Sequence, residues 1–304
     1  MESIKSRLTN SSDALPPKVQ TVLRSLYKLS KSHDQKRTER AFNTATSTGE
    51  HLSPEGLAAL VDSYPPHPPY SYALDALETR GRRRARQILK LPGSKESRVF
   101  LELGCWDGMV GWALAQHGKT VIGIDKRSEG FDERASAAGV DLRVMDAEAM
   151  TLADDSVDFV FSYDAFEHFP HPDLVLNEVS RVIRPGGYVW LEFGPLYLSA
   201  FGPHIYRTIP VPYCHLLWSR DVLSDYAAAN GAPIDFSHVN EWRVSRFRQL
   251  FQSAANLETV RYEESSELGH LGVLRQYPAL AKRCTDEFED LLVSHIRILL
   301  RRRL

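Results

Sequence analysis

Two short stretches carry the residues whose types and spacing could do chemistry. The first is VFLELGCWDGMVG, Val99 to Gly111. An apolar run carrying the acid Glu102 breaks into Gly104, Cys105, Trp106, Asp107 and Gly108 before a helical pattern resumes. Glycines there let the backbone approach a ligand closely, and the free N–H groups of a helix start face it. The stretch reads as a nucleotide-cradling corner. The second is SYDAFEHFPHP, Ser162 to Pro172. Asp164, Glu167 and His168 stand at i, i+3 and i+4, which on a helix puts two carboxylates and an imidazole on one face. Those are groups that move protons.

These residues need a scaffold that brings strand ends together, and the chain predicts one. Strands are expected at Arg98 to Leu103, Thr120 to Ile124, Leu142 to Met145, Val157 to Ser162 and Tyr188 to Phe193. Helices are expected between them at Gly108 to Gln116 and Leu174 to Ile183, with a tight turn at Arg184 to Gly187. The fourth strand is nearly all apolar, as a strand covered on both faces should be. This alternation predicts a parallel, doubly wound α/β sheet. In such a sheet ligands sit at the carboxyl ends of the strands. Those ends offer Glu102, Asp125 with Lys126, Asp146-Ala147-Glu148, and Ser162-Tyr163-Asp164. Asp125 lies about 20 residues past the glycine turn, where a carboxylate accepts from a ribose diol. A nicotinamide dehydrogenase would share that logic. It would also want a Tyr-x-x-x-Lys pair beyond the glycine turn, where the chain has none, and its pyrophosphate would meet acids at 102 and 164.

The flanks are less regular. Residues 1 to about 50 are polar and weakly periodic, with short helical stretches around Val19 to Ser30. Ser53 caps an expected helix to Asp62, with Pro54 at its first position. The prolines of YPPHPPY, Tyr64 to Tyr70, break regular structure before a helix from Ala73 to Leu89. After Phe193 comes an aromatic-rich insertion, about 194–235. A helix at Trp242 to Ala254, a strand at Leu257 to Glu263, mostly helix over Gly272 to Leu291 and a terminal strand at Ser294 to Arg303 complete the reading. The division is therefore an N-terminal helical, lid-like segment, 1–95, and a main domain, 96–304.

Composition narrows the classes. The 304 residues are 43% hydrophobic, enough for one large core. Net charge is −2, so no global basic field argues for nucleic acid. Arg82 to Arg86 and Arg301 to Arg303 read as solvated faces. Three widely spaced cysteines form neither a disulfide framework nor a zinc pattern, and with no apolar leader or spanning run the expectation is a cytoplasmic, reducing setting.

LELGCWDG, GIDKRS, MDAEAMTLADDSVDFVFSYDAFEHF and VLNEVSRVIRPGGYVWLEF, taken in that order over residues 97–195, resemble the successive motifs of class I S-adenosylmethionine-dependent methyltransferases. The likeness is to the small-molecule branch, methyltransferase type 11, which includes ubiquinone-pathway and sugar or polyketide O-methyltransferases. It implies a Rossmann-like, mostly parallel seven-stranded sheet. It also assigns Glu102, Gly104 and Gly108 to the methionine end of S-adenosyl-L-methionine, Asp125 to the ribose, and Asp146 and Ala147 to the adenine edge, with Cys105, Trp106, Asp107, Lys126 and Glu148 as further cofactor contacts. Ser162 and Tyr163 would flank the sulfonium. Trp106 departs from the pattern, which has a glycine or small residue there.

Methyl transfer needs an aligned nucleophile and a proton acceptor. The expected catalytic set is Asp164, Glu167, His168 and His204, with Tyr206, Tyr213, His215 and Trp218 as substrate contacts. Asp-x-x-Glu-His resembles the Glu-x-x-Glu-His metal motif of ubiquinone and small-RNA methyltransferases. Asp164, Glu167, His168 and His204 are thus candidate ligands for Mg²⁺, Mn²⁺ or Zn²⁺, set against plain helix capping. His33, His51, His67, His117, His238, His270 and His295 show no convergent spacing and read as surface or packing residues. HPPY, His67 to Tyr70, lacks the Asn or Asp of amino-methyltransferases and reads as a linker. The reading is an O-methyltransferase of a small molecule, with a homodimer left open. A non-catalytic S-adenosylmethionine-binding protein and an RNA 2′-O-methyltransferase are the alternatives.

Overall fold

The computed structural model describes residues 32–304. The expected helical stretch at Val19 to Ser30 lies outside them. Seven strands form one sheet, β1 (Val99–Leu103), β2 (Thr120–Asp125), β3 (Asp141–Val144), β4 (Val157–Tyr163), β5 (Ile183–Phe193), β6 (Leu257–Ser266) and β7 (Val293–Arg302). Their order is β3-β2-β1-β4-β5-β7-β6. All neighbours through β5 are parallel, and β7 runs antiparallel to both β5 and β6.

The flanking helices are α1 (32–44), α2 (Leu57–Ser63), α3 (Leu74–Ile88), α4 (Met109–Ala115), α5 (Glu133–Ala137) and α6 (Pro172–Val182). Beyond β5 come α7 (Cys214–Leu217), α8 (Arg220–Ala229), α9 (Val244–Ser253), α10 (Leu271–Gln276), α11 (Pro278–Cys284) and α12 (Glu289–Leu292). The segment Gly272 to Leu291, expected to be helical, is thus three short pieces, split where Pro278 starts one helix and Thr285 turns extended. The expected Arg184–Gly187 turn is an excursion inside β5. Val157 pairs with Ile183 and Phe159 with Tyr188, so the four residues between bulge out. α1 was not legible, because its stretch is polar and buries only Thr38 and Phe42.

Strand alternation splits the core into two layers. Leu101, Leu103 and Val160 pack with α6 and α9, while Phe100, Phe159, Phe161 and Tyr163 pack with α3 and α4. The N-terminal helices do not stand apart. Leu57 of α2 shares a cluster with Ile205, Ile209, Trp218 and Leu280. Phe42 of α1 shares another with Leu216 and Phe288. The order in which strands are added reverses between β1 and β4, which stay parallel, and at such a switch point the loops after the strands part and leave a crevice.

Candidate active site

A cavity of about 970 Å³ opens at that crevice. On one side lies the β1–α4 turn. Gly104 has φ +64°, and a Cβ there would sit 2.5 Å from the Ala165 methyl. Gly104→Ala is therefore expected to cost about 1–3 kcal/mol through strain and clash, read as a lower melting temperature; an unchanged melt would count against the packing described. Cys105 N–H donates to the Ile124 carbonyl (3.0 Å) and ties the turn to β2. Asp107 accepts from Met109 N–H (2.9 Å) at the start of α4 and pairs with Arg80 (2.8 Å).

Glu102 is 4% exposed and accepts from Gly111 N–H at 3.2 Å. Burial, then Asp107, pushes its carboxyl well above the usual range. Asp125 takes the Trp106 N–H on one oxygen (3.0 Å) and the Arg127 N–H on the other (3.3 Å). Trp106 is 37% exposed, lies flat against Gly130 and lines the cavity. Its indole is thus a wall of the crevice. Lys126 pairs with Asp146 (3.2 Å), Asp146 accepts from Glu148 N–H (2.9 Å) and Glu148 from His171 N–H (3.0 Å). These carboxylates brace the loop after β3, and Met145 and Ala147 supply its cavity wall.

Across the cavity, β4 ends in Tyr163 and a 3₁₀ turn, Phe166–His168. The expected α-helical face is replaced by this tighter turn, which separates Asp164 from the other two residues. Asp164 has φ +50° and pairs with Arg84 of α3. Glu167, His168 and His204 come together instead, with one ligand atom of each within 4.8 Å of the others. Glu167 is 1% exposed, and neither carboxylate oxygen has a hydrogen-bond partner. Burial, then Asp164, pushes its carboxyl well up. His168 Nδ1 meets the His238 carbonyl at 2.5 Å, and His204 Nε2 meets the Pro195 carbonyl at 3.0 Å. A carbonyl only accepts, so each of these nitrogens carries the proton and the other nitrogen of each ring is a free lone pair. Burial lowers His168, and burial followed by His168 lowers His204 to about 3. Both imidazoles are neutral at neutral pH.

Several expected residues fall elsewhere. Ser162 points to the opposite face from Phe161 and Tyr163 and donates to the Leu103 carbonyl (2.9 Å). Strand parity explains it. Tyr206 lines the cavity. Tyr213, His215 and Trp218 are not among the lining residues. Tyr213 Oη donates to the Leu291 carbonyl (2.9 Å), Trp218 Nε1 to the Ser53 carbonyl (3.0 Å), and His215 packs on Tyr197. They hold the insertion together, Tyr213 against α12 and Trp218 against the stretch leading into α2.

Other lining residues were unforeseen. His238 and His295, read as surface or packing residues, both line the cavity. His67 packs against Phe201 and Tyr206 at its edge. Arg84, read as part of a solvated face, covers the Tyr163 ring and lines the cavity with Arg80. A signal for the arginines existed. Leu77, Gly81, Ala85 and Ile88 form the buried stripe of α3, and Arg80 and Arg84 flank it. A Cβ at Gly81 would sit 2.3 Å from the Met109 carbonyl, so this glycine lets α3 lie close on α4 and aims both arginines inward.

Strand order, switch point and glycine corner together define a Rossmann-like methyltransferase fold. Residues 101–191 match a family model described as a methyltransferase domain, methyltransferase type 11. Over those residues the chain is similar to S-adenosylmethionine-dependent methyltransferase domains of that type. A ubiquinone biosynthesis O-methyltransferase of Brucella ovis is 29% identical over 116 residues, 36% of this chain and 47% of that protein. Methyltransferase GfsG of Streptomyces halstedii is 30% identical over 128 residues, 38% of this chain and 44% of that protein. The chain thus spans about half the length of the curated relatives it matches. A solved putative S-adenosylmethionine-dependent methyltransferase from Listeria monocytogenes aligns over 74% of this chain and 100% of its own, with 16% identity and a TM-score of 0.48. Among the described residues no helix is long and apolar enough to cross a membrane.

Proposed function

We propose that this chain transfers a methyl group from S-adenosylmethionine to a hydroxyl of a small molecule, a natural product, sugar or quinone-like compound. The observation that carries the reading is one cavity with two chemically different ends. Glu102, the Gly104–Asp107 turn and Asp125 line one end, and Glu167, His168 and His204 line the other. The donor's sulfonium supplies an already activated methyl, so the protein's work is alignment and proton removal. Asp125 has acceptor capacity left for ribose hydroxyls, and Glu102 with Asp107 adds negative charge near a cationic amino-acid end. Tyr163 under Arg84 walls the middle of the crevice. His168 and His204, held neutral with one free lone pair each, are the groups able to accept the acceptor's proton.

The same trio fits a divalent cation. Two neutral imidazoles and a buried carboxyl with no hydrogen-bond partner are ligands awaiting a positive charge. Mg²⁺, Mn²⁺ or Zn²⁺ there would lower the pKa of a bound hydroxyl. Asp164 stands outside the trio, engaged with Arg84. Relatives named for ubiquinone O-methylation support the acceptor class. The test is calorimetry with S-adenosylhomocysteine, followed by release of that product over a panel of hydroxylated acceptors. Failure to bind S-adenosylhomocysteine overturns the function. For the metal, protein purified without chelator is expected to hold about one divalent ion per chain by elemental analysis and to lose turnover on chelation. Full turnover by metal-free protein would remove the metal from the reading.

A further inference from the structure

The Phe166–His168 turn is only three residues long; Phe166 is packed in the core against Phe193 and Phe247, but the turn's carbonyls are left to other segments. Runs of 3₁₀ geometry this short have poor hydrogen bonds and leave carbonyls in need of donors. Within it, His168 N–H donates to the Ala165 carbonyl (2.9 Å). The Phe166, Glu167 and Phe169 carbonyls are satisfied from outside, all by one residue some 70 positions later. Asn240 Nδ2 donates to the Phe166 carbonyl at 3.1 Å and to the Phe169 carbonyl at 2.9 Å. The Asn240 backbone N–H donates to the Glu167 carbonyl at 2.8 Å. Its Oδ1 accepts from Trp242 N–H at 3.3 Å, which fixes which way the amide faces.

Two residues earlier on the same segment, the His238 carbonyl meets His168 Nδ1. The segment itself is anchored by the buried side chains of Val239 and Trp242, the latter against Phe247 of α9. The geometry points to Asn240 as a positioning residue. Residues 238–242 are a strap that clamps the 3₁₀ turn and sets the His168 tautomer, leaving Nε2 bare toward Glu167 and His204. Asparagine suits the place because the two carbonyls need donors while the Trp242 amide needs an acceptor. An aspartate would set acceptor against acceptor.

This inference rests on the reading of His168 as an acceptor-side group, but its test does not require a known acceptor. Wild type, Asn240→Asp, Asn240→Ala and His238→Ala would be labelled with ¹⁵N-histidine, saturated with S-adenosylhomocysteine and compared by two-bond ¹H–¹⁵N spectra, with His168→Gln assigning the resonance. Wild type is expected to show the Nδ1–H form of His168. Both Asn240 variants are expected to shift toward the Nε2–H form or a mixture, with S-adenosylhomocysteine affinity within about twofold of wild type because the donor end is held by other elements. His238→Ala keeps its backbone carbonyl and is expected to keep the wild-type tautomer. If Asn240→Asp does not fold, Asn240→Ala, which puts no charge against the carbonyls, carries the comparison. A folded Asn240 variant with an unchanged His168 signature overturns the strap, as does a His238→Ala shift as large as that of Asn240→Ala. Wild type that fails to bind S-adenosylhomocysteine overturns the proposed function instead, and the tautomer comparison is then made on unliganded protein.

Discussion

Glu167→Leu is expected to lower methyl transfer by about 10²–10⁴-fold and to raise the melting temperature of the metal-free protein. The two effects have one cause. Glu167 is 1% exposed with neither carboxylate oxygen hydrogen-bonded, so it is kept at the expense of stability. An apolar side chain of similar size removes that penalty, worth about 1–3 kcal/mol, or several degrees of melting temperature in a chain this long. Glu167→Gln is the control. It keeps the volume, removes the ionisable group and leaves an amide without partners, so activity falls with little thermal gain. Turnover at the wild-type rate, or a lower melt for Glu167→Leu, would contradict the assignment.

The pH dependence has a definite sign. The folded carboxyl is raised, so above the usual carboxylate range of about 4.3 the folded state keeps a proton that the unfolded chain has released. The folded state then binds more protons, and stability falls as pH rises through that window. Glu167→Leu is expected to flatten the slope without abolishing it, because Glu102 is shifted the same way. Thermal melts across that pH range check it.

Asp125→Ala is expected to weaken S-adenosylhomocysteine by about 10–100-fold, the loss of one to two charge-assisted hydrogen bonds. Asp125 also holds the Trp106 and Arg127 N–H groups, so its removal frees the cavity wall that the indole makes. Asp125→Asn preserves one acceptor oxygen and should fall between. Calorimetry reads both. Unchanged affinity in Asp125→Ala would reduce Asp125 to a brace of the turn.

The strand-end acids were readable in the chain because the parallel strands are mostly apolar runs, and an acid at or beside the carboxyl end interrupts the run. Glu102, Asp125 and Asp164 were found this way, and the cavity opens at the switch point between β1 and β4. The outward turn of Ser162 was also readable, since it stands at opposite parity to Phe161 and Tyr163 in one strand. The helical spacing of Asp164, Glu167 and His168 misled, because it assumed an α-helix. The backbone instead takes φ +50° at Asp164 and then a 3₁₀ turn, which hands Asp164 to Arg84 and Glu167 to the histidines.

Local pattern alone thus determined the sheet, its glycine corner and the residues at its strand ends, since periodicity and burial act over a few residues. Tertiary structure alone decided the acceptor side. His238, Asn240, His295 and Arg84, none of them singled out for the site in the sequence, lie on one loop, a distant strand and a helix before the sheet, and no spacing links them. Their meeting depends on how α3 rests on α4, which brings Arg84 to Asp164 80 residues on, and on how the 238–242 segment crosses the 3₁₀ turn, where His238 meets His168 70 residues before it.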